Sequence, residues 1–136
     1  EAHRMKQGVY TEYLKLKGVE NLGTVIAANN YACDLIGLER FEEAKSLLRK
    51  MMPVARRVLG ESSDLTLRMR LIYGGALYMD AGATLDDLRE AVTTLEDTER
   101  IARRVLGGAH PLTEAIEHHL ERSRAALGTC EDSKIK

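Results

Sequence analysis

The sequence predicts an all-α fold of about six helices, built from a repeated helix pair, on three observations. Trp is absent, Phe41 is the only phenylalanine and Pro occurs twice, while Ala, Leu, Glu and Arg dominate, the composition of helices packed through small and aliphatic side chains. Apolar residues recur every three or four positions, the period of a helix with one buried face. The hexamer ARRVLG occurs twice, at residues 55–60 and 102–107, which points to an internal repeat.

Measured back from its glycine, the hexamer acts as a ruler. A Thr follows six residues later in three places, as Gly18 and Thr24, Gly60 and Thr66, and Gly107 and Thr113, and the glycines are 42 and then 47 residues apart. The five extra residues fall around Gly82. The units are then 1–18 (partial), 19–60, 61–107 and 108–127 (partial, capping) within one domain of residues 1–127, followed by a polar, frayed tail at 128–136.

In order, the expected helices are 3–17, 21–37, 40–59, 63–80, 85–106 and 111–127. The first stops before Gly18 and the second carries the apolar run TVIAA. The third buries the stripe Phe41, Ala44, Leu48, Met51, Ala55 and Val58, with Met51, Met52, Leu47 and Leu48 read as core. Pro53 lies inside it, so a kink is expected between Arg49 and Pro53. Ser62 or Ser63 caps the fourth helix. Thr84 with Asp87 forms a capping box for the fifth, whose stripe is Leu88, Ala91, Leu95, Thr98, Ala102 and Val105. Pro111 suits the first turn of the sixth. Gly60 and Gly107 end their helices with a backbone conformation that costs other residues a Cβ clash. The hexamer itself is architecture: Ala and Val bury, the arginines face water and Leu-Gly closes the helix.

Composition also bounds function. With 136 residues the chain is one ordinary domain, large enough to bury well over half of its unfolded surface. Charged residues make up 30% yet leave a net charge of −1, so no general field attracts nucleic acid or an anionic membrane. The apolar runs are too short to span a bilayer, and no membrane insertion is expected. Two cysteines, Cys33 and Cys130, are too few for a disulfide framework, so a reducing, cytoplasmic location is the expectation. The chain opens on Glu1 rather than Met, which fits a fragment or a processed form from which a targeting segment is missing.

The motifs within the unit carry a resemblance. Asn29 and Asn30 with Ala32 two further on, then RFEEA at 40–44, then RRVLG, and later VLGGAHPLT, resemble the tetratricopeptide repeats of the kinesin light chain type, whose typical strings are an Asn-Asn-Leu-Ala, a Gly-Arg-Tyr-Glu-Glu-Ala and a Val-Leu-Gly followed by a His-Pro linker. The resemblance covers nearly the whole chain. Departures are also visible. Glu39 stands where the family has its turn glycine, Leu71 and Ile72 replace the Asn pair in the next unit, and the last unit has His118 and His119 there with Glu121 at a normally small packing position. That change fits a terminal helix with a polar outer face, as solenoids need at their ends.

The resemblance implies a right-handed α-solenoid of antiparallel helix pairs whose first helices line a concave groove. It implies a non-enzymatic adaptor or scaffold that takes up a protein or peptide segment. The groove positions carried over are Ile26, Asn29, Cys33 and Ile36, then Arg68, Leu71, Gly75 and Tyr78, then Ala115, His118 and Arg122. Asn29 would read a peptide backbone, because its amide both donates and accepts. Arg68 and Arg122 would hold a carboxylate. Tyr31, Ala32, Tyr73 and Gly74 are assigned to the packing between helices. A second reading is a subunit of a larger assembly docked through its convex face or end helices.

Sharper chemistry finds little support. His118 and His119 with His110 invite a metal site, but adjacent histidines diverge by about 100° on a helix, so no metal or other cofactor is expected. The carboxylates of FEEA and LDDLREA suit helix first turns rather than acid–base catalysis. Cys33 has no base at motif spacing and is read as a buried or half-buried thiol, so no catalytic residue is assigned. The pairs Arg56, Arg57 and Arg103, Arg104 could form a basic stripe. Glu99 before Arg103 and Glu96 before Arg100 instead favour ion pairing along the helix surface, and nucleic-acid binding is not expected.

Overall fold

A computed structural model describes residues 2–135. Among the described residues there are six helices and no strand: α1 (Ala2–Lys17), α2 (Leu22–Gly37), α3 (Phe41–Leu59), α4 (Asp64–Met79), α5 (Leu85–Leu106) and α6 (Pro111–Ile135). Each packs against the next, and α4 also lies against α2 and α6. One row therefore holds α2, α4 and α6 in contact, and α1, α3 and α5 form a second row behind it. The second row is bridged by Tyr10 of α1, whose hydroxyl donates to Met51 Sδ of α3 at 3.9 Å.

Local chemistry explains the boundaries. Asn21 caps α2 by accepting from Gly23 N. The capping box at Thr84 and Asp87 is complete: the Thr84 hydroxyl accepts from Asp87 N and the Asp87 carboxylate accepts from Thr84 N, both at 3.1 Å. Those bonds hold the Asp87 carboxyl below its usual range. Ser63 is the N-cap of α4 but caps it through extended backbone geometry rather than a side-chain bond. Gly60 and Gly107 end α3 and α5 with φ near +90° and extended ψ, a region that belongs to glycine rather than the ordinary left-handed helical cap. Glu39, in the turn between α2 and α3, is the one described non-glycine residue with positive φ, at 59°.

The extra five residues of the second unit divide between turn and helix. The α2–α3 turn takes three residues and the α4–α5 turn five, while α3 has 19 residues and α5 has 22. An Asx turn stabilises the longer connection, with Gly82 N donating to Asp80 Oδ1 at 2.9 Å.

The core runs along the seam between the rows. Ala28, Ala32, Ala44, Leu48, Met51, Ala55, Leu67, Leu77, Ala91, Leu95 and Ala102 are fully buried. Thr24, Thr66 and Thr113 are buried as well, so the repeated threonine marks each unit's entry into the core, and Thr24 Oγ1 donates to Gly18 O at 2.7 Å. Tyr31, Ala32, Tyr73 and Gly74 are buried between helices. A Cβ at Gly74 would stand 2.7 Å from Leu95 Cγ, so glycine lets α5 approach α4 there. Tyr73 ties three helices together: its hydroxyl donates to the Glu90 carboxylate and accepts from Arg49 Nε at 2.9 Å.

Four expectations are corrected. The segment 128–135 is not frayed, because α6 continues to Ile135 with Ala126, Leu127 and Cys130 packed against the core. Val105 is 44% exposed rather than buried, since it stands on the last turn of α5. Glu96 pairs with Arg124 across to α6 at 2.9 Å, and Arg100 turns to Asp97, whereas Glu99 and Arg103 pair as expected at 2.9 Å. Cys33 is exposed, because it lies off the buried face of α2 that carries Ala28, Ala32 and Leu35. α3 runs unbroken through Pro53.

Candidate functional site

The residues assigned to a groove fall on α2, α4 and α6, the three helices of the continuous row, but only some converge. Cys33 and Ile36 of α2 meet Leu71 and Gly75 of α4 around a mostly apolar cavity of about 230 Å³, completed by Ile72, Met79 and His119. Helical spacing explains the set. Cys33 and Ile36 are three apart, and Leu71, Gly75 and Met79 are successive i, i+4 positions, so each group forms one stripe. Gly75 opens the space: a Cβ there would meet only Met79 Sδ, at an ordinary 3.5 Å. The absence of a side chain, rather than a close approach of helices, leaves the cavity.

The remaining assigned residues lie around it. Ile26 is exposed on α2, two turns before Cys33. Asn29, one turn before Cys33, is only 8% exposed, and its Oδ1 has no hydrogen-bond partner. Arg68 is exposed and already paired with Asp64 at 2.8 Å. Ala115 is half-buried near the start of α6. His118 is exposed on α6, and its ring meets the edge of His119 at 5.4 Å.

Tyr78 and Arg122 belong to the α4–α6 contact. Tyr78 is buried and its hydroxyl shares a hydrogen bond with His119 Nδ1. The Arg122 guanidinium lies 5.8 Å from the Tyr78 ring centroid, a cation–π arrangement. Burial, then His118 and Arg122, push the His119 pKa down, which favours the neutral ring. Burial likewise raises the Tyr78 phenol. Partial loss of water raises the Cys33 thiol despite Lys6 and Arg68 nearby, so the thiol form is favoured over the thiolate.

Ile72, Met79 and His119 were not assigned from the sequence. Met79 was legible, since it continues the stripe of Leu71 and Gly75 by one more turn. His119 instead of His118 was not: the pair differs by one helical step, and only the angle at which α6 meets α4 decides which ring reaches the cavity. Among the described residues no group of three His, Cys, Asp or Glu side chains is placed to hold a metal ion, and no helix is long and apolar enough to cross a membrane.

A family model described as Tetratricopeptide repeat matches residues 24–64. The match begins in the first turn of α2, spans the Glu39 turn and all of α3, and ends where α4 starts. One helix pair thus carries the tetratricopeptide repeat signature. Such repeats generally mediate protein–protein interaction and are typically non-enzymatic. No curated protein and no solved structure matches the chain.

Proposed function

We propose that the chain is a non-enzymatic interaction module, an adaptor or scaffold, that binds a partner protein's segment in a concave groove along α2, α4 and α6. In this reading the repeats are of the kinesin light chain type and stack as a right-handed solenoid. The observation that carries it is the cavity: residues assigned independently from two repeat units, Cys33 and Ile36 with Leu71 and Gly75, line one apolar space.

A cavity of about 230 Å³ suits one leucine- or methionine-sized anchor from the partner. Burying such a side chain contributes roughly 1.5–3 kcal/mol, enough to select a segment but not to bind it alone. Met79 and Cys33 are polarisable and adapt to the shape of the anchor. The unpartnered Asn29 Oδ1 is an acceptor for a backbone N–H of the segment, which would relieve its cost of burial. Arg68 and Arg122 place positive charge beside the cavity, but Asp64 and the Tyr78 ring already engage them. Their contribution is a shallow potential rather than a carboxylate clamp.

Peptide display against the folded protein, followed by affinity measurement on the selected peptides, tests this. Gly75→Ala places a methyl in ordinary contact with Met79 Sδ, narrows the cavity and should weaken binding several-fold or more. Asn29→Ala should weaken it by a smaller factor. Peptides whose affinity is indifferent to both variants would contradict the groove.

A further inference from the structure

α4 packs against both α3 and α5, and Tyr73 and Arg70, three apart on α4, lie one turn from each other on the face that meets them. Tyr73 is satisfied there by Arg49 of α3 and Glu90 of α5. Arg70 is not. It is 6% exposed, and among the described residues its Nε has no hydrogen-bond partner. Its Nη1 stands 3.7 Å from Glu61 Oε2, beyond hydrogen-bond length. The other oxygen of Glu61 lies 3.3 Å from Arg56 Nε of α3. Two guanidiniums thus share one carboxylate, and that carboxylate belongs to the exposed turn between α3 and α4.

The repeat itself does not call for a cation at this position. Ten residues after the unit's glycine stands Arg70 in one unit and Ala28 in the unit before it, and Ala28 is fully buried. Replacing a buried ion pair by apolar side chains is often neutral or stabilising, so packing alone does not account for a guanidinium here. The nearby charge is also unbalanced: Arg56, Arg70 and Arg100 stand against Glu61 and Asp97, and Asp97 is turned to Arg100. Burial, then Arg56, push the Arg70 pKa down, as befits a cation short of anionic partners.

A guanidinium offers five N–H donors in a planar fork. A flat carboxylate meets one such fork as a bidentate pair, but not two at once. A phosphate group on a single ester link has three free oxygens in a tetrahedron and a charge of about −1.5 to −2 near pH 7, so it can face both forks together. We propose that Arg56 and Arg70 form a binding site for a dianionic phosphate group, entered from the α3–α4 turn, with Glu61 as its internal competitor. The Arg56 and Glu61 side chains are 40% and 57% exposed, which gives the anion its way in and lets Glu61 swing out to water as it binds. The site shares no residue with the cavity between α2, α4 and α6, so it stands apart from the groove.

The isotope-labelled full chain is titrated at fixed ionic strength with inorganic phosphate and, separately, with O-phosphoserine blocked at both termini, while arginine Nε–H and backbone amide resonances are followed. Saturable shifts centred on Arg56, Arg70 and residues 60–64 are expected with both. Tighter binding of the phosphoserine assigns the group to a protein segment, and tighter binding of inorganic phosphate assigns it to the free ion. Dimethyl phosphate, a diester with a single charge, should bind at least about tenfold more weakly. Glu61→Gln should tighten binding several-fold by removing the competitor, whereas Arg56→Gln should weaken it by about tenfold or more. Both side chains are exposed, and unchanged helical circular dichroism confirms folding. Arg70→Lys keeps the charge but loses the fork and should weaken binding as well. Absence of saturable shifts, shifts centred elsewhere, equal affinity for the diester, or indifference to either Glu61→Gln or Arg56→Gln would each overturn the proposal.

Discussion

The first and last helices hold the same kind of position, each one neighbour short, yet they meet water with opposite chemistry. α1 shows Met5, Val9 and Leu16. On α6, the positions matching Val25, Ala28, Ala32 and Leu35 of α2 are Glu114, Glu117, Glu121 and Arg124 when Thr113 is aligned on Thr24. The four α2 residues are at most 1% exposed. Their α6 counterparts are exposed or half-buried, and Glu117 and Arg124 turn back to pair with Arg103 and Glu96 of α5. Burying three carboxylates beneath another helix would cost several kcal/mol each unless they were paired. This face of α6 is therefore charged, whereas that of α1 is apolar.

The largest change should come from erasing that difference. Glu114→Val, Glu117→Ala and Glu121→Ala together give α6 three of the four buried residues of this α2 face. Its end should then seat on α1 of another molecule, a head-to-tail contact that does not close on itself. Sedimentation should show concentration-dependent chains of molecules, which Val9→Glu in the same protein abolishes. Monomers at all concentrations would mean that the two ends are not complementary.

A smaller effect separates the open end from the interior by one residue type. Gly74→Ala forces a Cβ against Leu95 at 2.7 Å and should destabilise by about 1–3 kcal/mol. Gly8→Ala meets nothing within 4 Å and should stabilise by up to about 1 kcal/mol. Thermal or urea unfolding of the two variants gives both signs. Equal effects would mean that α1 is covered or that α4 and α5 are not tightly packed.

A pH effect in the mildly acidic range belongs to the α6 end. Burial lowers the folded-state pKa of His119 below its unfolded value. The unfolded chain then takes up the proton first as pH falls, so the stability owed to the neutral ring is present above about pH 6.5. It is lost as pH drops from there through the folded pKa. Unfolding midpoints should decline over that window, and His119→Gln should flatten the decline. An unaltered slope would mean that other groups carry it.

The smallest effect lies in the turn that joins the matched helix pair. Glu39 holds φ of 59°, where an L-residue costs about 1 kcal/mol that glycine does not pay. Glu39→Gly should raise stability by somewhat under that amount, since glycine also loses more entropy on folding. A destabilised variant would show that the Glu39 side chain offsets its own strain.

Much of this architecture was legible because repetition registers helices more sharply than propensity does. Aligning the three glycines placed Ala44, Ala55, Ala91 and Ala102 in the core and located all six helices within a residue or two, except at the end of α6. There the polar string after Leu127 hid Ala126, Leu127 and Cys130, which stay close enough to α4 and α5 to keep the helix formed. Two buried cations were not legible. Lys45 is buried and paired with Glu42 at 2.6 Å. Arg70 is buried with Glu61 at 3.7 Å, and burial with nearby Arg56 lowers its pKa. Each lies on a face whose other members are apolar, and only tertiary contacts show that long side chains can reach acids at the edge of the core. In the cavity, register brought together four of its seven lining residues. The exchange of His118 for His119 marks where register stops and helix crossing angle takes over.

The central claim is that the partner's segment occupies the cavity between α2, α4 and α6, and the two cysteines test it directly. Cys33 is exposed and lines that cavity, whereas Cys130 is half-buried on α6 and lines a separate hollow with Tyr78, Ala83 and Leu88. Maleimide labelling rates at each thiol are measured by mass spectrometry with and without a saturating display-selected peptide. Occupancy of the cavity predicts that Cys33 slows by about tenfold or more, as a bound anchor excludes reagent, while Cys130 is unchanged. Equal rates at Cys33 with the peptide bound would contradict it.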